Sequence, residues 1–175
     1  FINTRQPGSL LHILGAKVDR AMDRAAQNRL GIPLLVGEDG IHGHSFWKGS
    51  TIFPTQLALA ASWNPGLVEQ VGRVTAEEMA PTGIHETFSP VLCLTRDIRW
   101  GRTGETFGED PYLIGELGAA LIRGFQGKGL DDPAGVLATA KHFAGYSETQ
   151  GGRDASEAAT TRRKLLDATI QCLYE

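Results

Sequence analysis

A fold of parallel β-strands covered by helices is predicted for this 175-residue chain, and three observations predict it. Short apolar runs at residues 32–36, 88–94 and 136–140 alternate with longer stretches of helical spacing. Two of those stretches open on the same device, Asn64-Pro65 and Asp110-Pro111, a capping side chain followed by a proline at the first helical position. Polar and charged residues gather just after the strand candidates, at Asp39, from Arg96 onward, and at Lys141.

Taken in order, residues 1–3 read as the end of a strand. Residues 17–30 carry apolar side chains at 18, 22, 25 and 26, which is helical spacing, with Gly31 as the stop. Residues 32–36 are a buried strand with Pro33 at its entrance. Residues 37–44 form a polar, glycine-punctuated loop holding Glu38, Asp39, His42 and His44. A short helix falls within residues 53–63. The helix that starts at Asn64-Pro65 continues through Leu67, Val68, Val71, Thr75 and Met79 and ends at Pro81 and Gly83. Residues 88–94 are the next strand. The helix from Asp110-Pro111 buries Leu113, Ile114, Leu117, Leu121 and Phe125, and Gly127, Gly129 and Pro133 break it. Residues 136–140 are a fourth strand, followed by a loop rich in Gly, Ser and Thr. A last helix is expected over residues 161–174.

The hydrophobic content of 41% is enough for the core of one domain. A net charge of −3, from 17 basic and 20 acidic residues, implies no nucleic-acid partner. No apolar run is long enough for a membrane span. Cys93 and Cys172 make neither a disulfide framework nor a metal-spaced pair. No signal-peptide pattern is seen at Phe1, and no compartment can be read.

Residues 96–111, R-D-I-R-W-G-R-T-G-E-T-F-G-E-D-P, concentrate three arginines and four acidic groups around one tryptophan. Two readings stand side by side: an ion-pair network that only holds a loop in shape, and a site built on a loop carried by a rigid scaffold. The polar clusters after several strands favour a barrel, whose active mouth lies at the C-terminal ends of its strands, over an open sheet with one crevice. A complete (β/α)8 barrel needs about 250 residues, so four strands correspond to its first half.

Four blocks, in order, resemble glycoside hydrolase family 3, the β-glucosidase and β-xylosidase group. They are Gly37-Glu38-Asp39-Gly40-Ile41-His42-Gly43 with Phe53-Pro54-Thr55-Gln56 and Ala61-Ser62-Trp63-Asn64-Pro65; Phe88-Ser89-Pro90-Val91; residues 96–111; and Lys141-His142-Phe143 with Gly151-Gly152-Arg153-Asp154. The sequence departs from the family pattern at Ile98, Glu86 and residues 167–174. The resemblance implies that residues 1–175 are the N-terminal part of a (β/α)8 barrel that hydrolyses terminal β-linked sugars with retention and without a cofactor. It places the nucleophile strand and the acid/base outside this chain, so the chain by itself is expected to be inactive. It also implies that Asp39, Arg102, Lys141 and His142 bind sugar hydroxyls of a β-linked oligosaccharide or glycoside. Arg96 and Arg99 are expected to brace the loop against Glu105, Glu109 or Asp110. Glu105 and Glu109, close to arginines, are expected to support the loop rather than to be a catalytic pair. Trp100 either stacks on sugar or packs under the loop. His42 is expected to shape its loop.

Two rival readings remain. One is a non-catalytic, truncated sugar-binding fragment. The other is a metal-dependent amidohydrolase barrel, suggested by His42-Gly43-His44 together with Lys141 and His142.

Overall fold

The computed structural model describes residues 1–129, 131–158 and 160–166. Within them, four strands form one sheet: β1 (Ser9–Leu11), β2 (Leu35–Glu38), β3 (Glu86–Thr87) and β4 (Leu137–Ala138). Every neighbouring pair is parallel, and the order across the sheet is β1-β2-β3-β4, the same as along the chain. That progression decides between the two α/β architectures. A doubly wound sheet reverses its strand order at a switch point, whereas a barrel adds each new strand on the same side of the last. The sheet is therefore the opening part of a (β/α)8 barrel, as expected.

The strand positions differ in detail from the sequence reading. Residues 1–3 belong to a helical turn, α1 (Ile2–Arg5), and the first strand is β1, three residues that are too few to display alternation. Pro33 has no N–H to give, so pairing begins at Leu35, whose N–H bonds Gly8 O at 3.0 Å. Ile32 is exposed, while Leu34 and Val36 are buried. The run at 88–94 is not one strand. Pro90 interrupts its ladder, β3 lies before it, and Val91 makes only isolated parallel bridges to Lys141 and Thr106. Residues 91–94 are buried all the same.

The helices are α2 (Ala16–Ala26), α3 (Gln56–Ala60), α4 (Pro65–Met79), α5 (Pro111–Gln126) and the short α6 (Arg162–Lys164). α2 ends four residues before the expected limit, because beyond Ala26 the polar Gln27-Asn28-Arg29 and the exposed Leu30 bring nothing to bury. The two predicted caps form: Asn64 Oδ1 accepts from Leu67 N–H at 3.1 Å and Asp110 Oδ1 from Leu113 N–H at 2.8 Å. The expected last helix, residues 161–174, is described only as far as residue 166, and Cys172 lies outside the described residues. Among the described residues, no helix is long and apolar enough to cross a membrane.

α4 and α5 pack against each other through two glycines. A Cβ on Gly72 would sit 2.6 Å from Leu121 O, and one on Gly124 would sit 2.9 Å from Gly72 Cα. This close crossing buries Val68, Val71, Met79, Ile114, Leu117, Leu121 and Phe125. The core thus stands behind the sheet as a fixed support, and the loops that leave the C-terminal ends of β2, β3 and β4 are carried on it.

Candidate functional site

Asp39 follows the last residue of β2. Its position is set by its own N–H, which donates to Glu38 Oε1 at 2.9 Å, and by Gly40 N–H, which donates to Thr87 Oγ1 at 3.0 Å. The site favours glycine at 40, since a Cβ there would lie 2.7 Å from Met79 Sδ and 3.0 Å from Thr87 Oγ1 and would push those side chains aside. Lys141 comes from just beyond β4. Its N–H bonds Pro90 O at 3.0 Å, and its carbonyl accepts from Leu92 N–H at 2.6 Å. These bonds aim the side chain back across the sheet mouth, where Nζ donates to Asp39 Oδ1 at 2.8 Å. The pair is largely enclosed, with side chains 17% and 29% exposed. Asp39 Oδ2 has no partner among the described residues.

Arg102 belongs to the charged loop after β3. It grips Glu105 with both arms, Nε to Oε1 at 2.9 Å and Nη2 to Oε2 at 2.7 Å, and its Nη1 donates to Tyr146 OH at 3.2 Å. Glu105 is the main cause that holds the Arg102 pKa above its ordinary value. Tyr146 OH in turn donates to Asp154 Oδ1 at 2.6 Å, which also accepts from Trp100 Nε1 at 3.1 Å. Those two bonds, Tyr146 first, hold the Asp154 carboxyl below its usual range. The His142 ring lies against Tyr146, with centroids 4.4 Å apart, and its Nδ1 is 3.3 Å from Cys93 Sγ. Burial above all, then the Arg102 and Lys141 charges, push the His142 pKa below 6.5, so the imidazole is neutral at pH 7. The Lys141–His142 peptide bond is cis.

Asp39, Arg102, Lys141 and His142, separated by up to 103 positions in the sequence, therefore line one open cavity of about 490 Å³, with Glu105, His42 and Phe46 on its wall. A larger cleft of about 970 Å³ runs beside α4 and α5, where Arg73 pairs with Glu77 and Asp132 and Arg123 with Glu69. The smaller cavity is the one at the C-terminal ends of the strands, where a barrel builds its site.

The loop supports pair differently from expectation. Arg96 reaches neither Glu105 nor Glu109 nor Asp110; it binds Glu148 at 3.1 Å and so ties its loop to the one after β4. Arg99 folds back on Asp97 at 2.6 Å, two residues away, and that contact brings the Asp97 pKa down to about 2. Glu105 is taken by Arg102. Glu109 is exposed, has no ion-pair partner among the described residues and does not line the cavity that Glu105 lines. Trp100 is buried, edge-on to Tyr146, and packs under the loop. His42 Nδ1 donates to Phe53 O at 2.9 Å, which shapes its loop. His44 is buried with Nε2 3.0 Å from Thr82 Oγ1 and does not line the cavity of Lys141 and His142, so the ligand set of an amidohydrolase is not assembled from these residues.

Sequence reasoning missed Tyr146, Cys93 and Glu148. Tyr146 sits among the small residues Ala144, Gly145 and Ser147, and Glu148 meets Arg96 across 52 positions, so no local pattern marks either one.

The chain matches a family described as the glycosyl hydrolase family 3 N terminal domain over residues 13–173. It is 39% identical over 142 residues to a periplasmic β-glucosidase of Salmonella typhimurium, covering 81% of this chain and 18% of that protein. It is 36% identical over 159 residues to a β-xylosidase of Formosa agariphila, covering 87% and 22%. A solved β-glucosidase involved in saponin metabolism, from intestinal bacteria, superposes with a TM-score of 0.94 at 54% identity over 98% of this chain and 23% of its own. Parallel strands carrying their polar clusters at one mouth define a barrel domain with a candidate site at its strand ends. The chain belongs to glycoside hydrolase family 3. It spans about a fifth of the length of the curated relatives it matches.

Proposed function

We propose that this chain supplies the sugar-hydroxyl-binding half of the pocket in a retaining glycosidase that removes terminal β-linked glucose or xylose units. The observation that carries the reading is the set of groups around the 490 Å³ cavity: the Lys141–Asp39 pair, Arg102 held by Glu105, and the neutral His142. A sugar hydroxyl has one proton to give and lone pairs to accept with. Given to Asp39 Oδ2, that proton leaves the hydroxyl oxygen free to accept from Lys141 Nζ and His142. Bonds to charged partners are the stronger ones, and those that tighten as the ring flattens towards an oxocarbenium ion add to the rate.

Retention asks for two carboxyl groups about 5–5.5 Å apart, one as nucleophile and one as acid/base. Both carboxylates on the cavity wall, Asp39 and Glu105, are engaged by cations. That suits binding groups, so the nucleophile and acid/base belong to a part of the protein outside residues 1–175. The reaction so conceived needs no cofactor.

The test is to assay p-nitrophenyl β-glucoside and β-xyloside with the 175-residue chain and with the longer gene product that contains it. Hydrolysis by the longer form alone is the expected result. Turnover by the 175-residue chain itself would mean that a working carboxylate pair lies within it, with Glu105 the first residue to substitute. No turnover by either form, with glucose still bound, would favour a non-catalytic sugar-binding protein.

A further inference from the structure

Beneath the cavity, Cys93 is buried between Val91 and Trp100, a free thiol that takes no part in the chemistry described above. Its sulfur lies 3.3 Å from Nδ1 of His142. The contact is held by the backbone: Leu92 N–H to Lys141 O at 2.6 Å and Lys141 N–H to Pro90 O at 3.0 Å lock the two segments side by side.

A neutral imidazole has one nitrogen that donates and one that accepts, and the partner of one ring nitrogen decides the role of the other. Sulfur is a weak acceptor, whereas the imidazole lone pair is a good one, so the favourable arrangement is S–H to Nδ1. The other acceptor within reach of the thiol, Lys141 O, is 4.0 Å away and competes poorly. Burial pushes the Cys93 pKa up, which keeps the proton on sulfur. Nε2, which has no hydrogen-bond partner among the described residues, then carries the other proton.

The ligand side asks for the same tautomer. A hydroxyl that gives its only proton to Asp39 can receive from His142 only if Nε2 carries N–H. We infer that Cys93 is a positioning residue: its thiol donates to His142 Nδ1 and holds the ring in the Nε2–H form that donates to the sugar. The inference rests on the sugar-binding reading for its consequence, but the tautomer can be measured without it.

The experiment uses the hydrolytically active protein that contains this chain, with histidine labelled by nitrogen-15, and reads the His142 tautomer from long-range proton–nitrogen spectra assigned by loss of the signals in His142→Gln. The wild type should carry its proton on Nε2. Cys93→Ala should mix the tautomers and lower kcat/KM on p-nitrophenyl β-glucoside about 5- to 10-fold, the scale of one lost hydrogen bond. Cys93→Ser, which keeps a donor, should restore both readouts. A wild-type His142 protonated on Nδ1, or a Cys93→Ala variant that keeps the Nε2–H form and full kcat/KM, overturns the inference. If Cys93→Ala does not fold, the wild-type spectrum and Cys93→Ser decide. A packing role alone would change stability and leave the tautomer as it was. Failure of the sugar-binding reading has a separate signature, unchanged kinetics on removing the Lys141 amine.

Discussion

Replacing Lys141 by methionine keeps most of the side chain's length and apolar stem while removing its charge. In the folded chain Nζ makes a 2.8 Å bond to Asp39 Oδ1, inside a pair whose side chains are 17% and 29% exposed. The same Nζ is the nearest cation for a hydroxyl bound at Asp39. The substitution therefore removes one charged hydrogen bond to substrate and leaves the Asp39 carboxylate without its neutralising partner. A hydrogen bond to a charged group contributes about 1.5–3 kcal/mol. At 1.36 kcal/mol per decade, this corresponds to a fall in kcat/KM of about 10- to 150-fold. Because such bonds tighten in the transition state, part of the fall should appear in kcat. The assay is steady-state hydrolysis of p-nitrophenyl β-glucoside by the active protein, with circular dichroism to establish that the variant is folded. A folded Lys141→Met variant within twofold of the wild-type kcat/KM would refute the reasoning.

Three further outcomes are expected. Tyr146→Phe removes the hydroxyl that links Arg102 to Asp154 but keeps the ring packed against His142 and Trp100; KM should rise several-fold with the fold intact, and an unchanged KM would mean that Arg102 is held by Glu105 alone. Gly124→Ala forces a methyl group into the α4–α5 crossing and should cost about 1–3 kcal/mol in urea denaturation, whereas a neutral result would mean that the helices can separate at no cost. Burial pushes the pKa values of His44, His85 and His142 below 6.5, so the unfolded chain binds more protons than the folded one as pH falls. Their contribution to stability is present in full above pH 6.5 and is lost as pH falls below it through the lowered folded-state values, so the denaturation midpoint should be lower at pH 5 than at pH 7.5. His85 adds to this directly, since its Nδ1 accepts from Val36 N–H and a proton there would break that bond.

What could be read from the sequence was what is decided locally. The caps at Asn64 and Asp110 need only a side-chain oxygen three residues from an N–H, and both form where they were expected. The α5 stripe is legible because Ile114, Leu117 and Leu121 recur at helical spacing and are all buried. β1 escaped notice because three residues cannot show a period, and β3 was misplaced because the apolar signal of residues 91–94 marks burial rather than a ladder. The cavity itself depends on contacts between distant positions. Asp39 and Lys141 are 102 residues apart, and their shared place at strand ends and the family resemblance are what bring them together on the sequence. The partner of Arg96 escapes a local reading for the same reason, since Glu148 comes from another loop. The partner of Arg99 differs for the opposite reason, since Asp97, two residues away, outcompetes the more distant glutamates.

The most direct measurement is a crystal structure of the protein soaked with glucose. The account predicts a pyranose ring in the cavity at the strand ends, with hydroxyl oxygens about 3 Å from Asp39 Oδ2, Lys141 Nζ and His142 Nε2. A sugar bound instead in the cleft beside α4 and α5, with the cavity of Asp39 and Lys141 left empty, would contradict it.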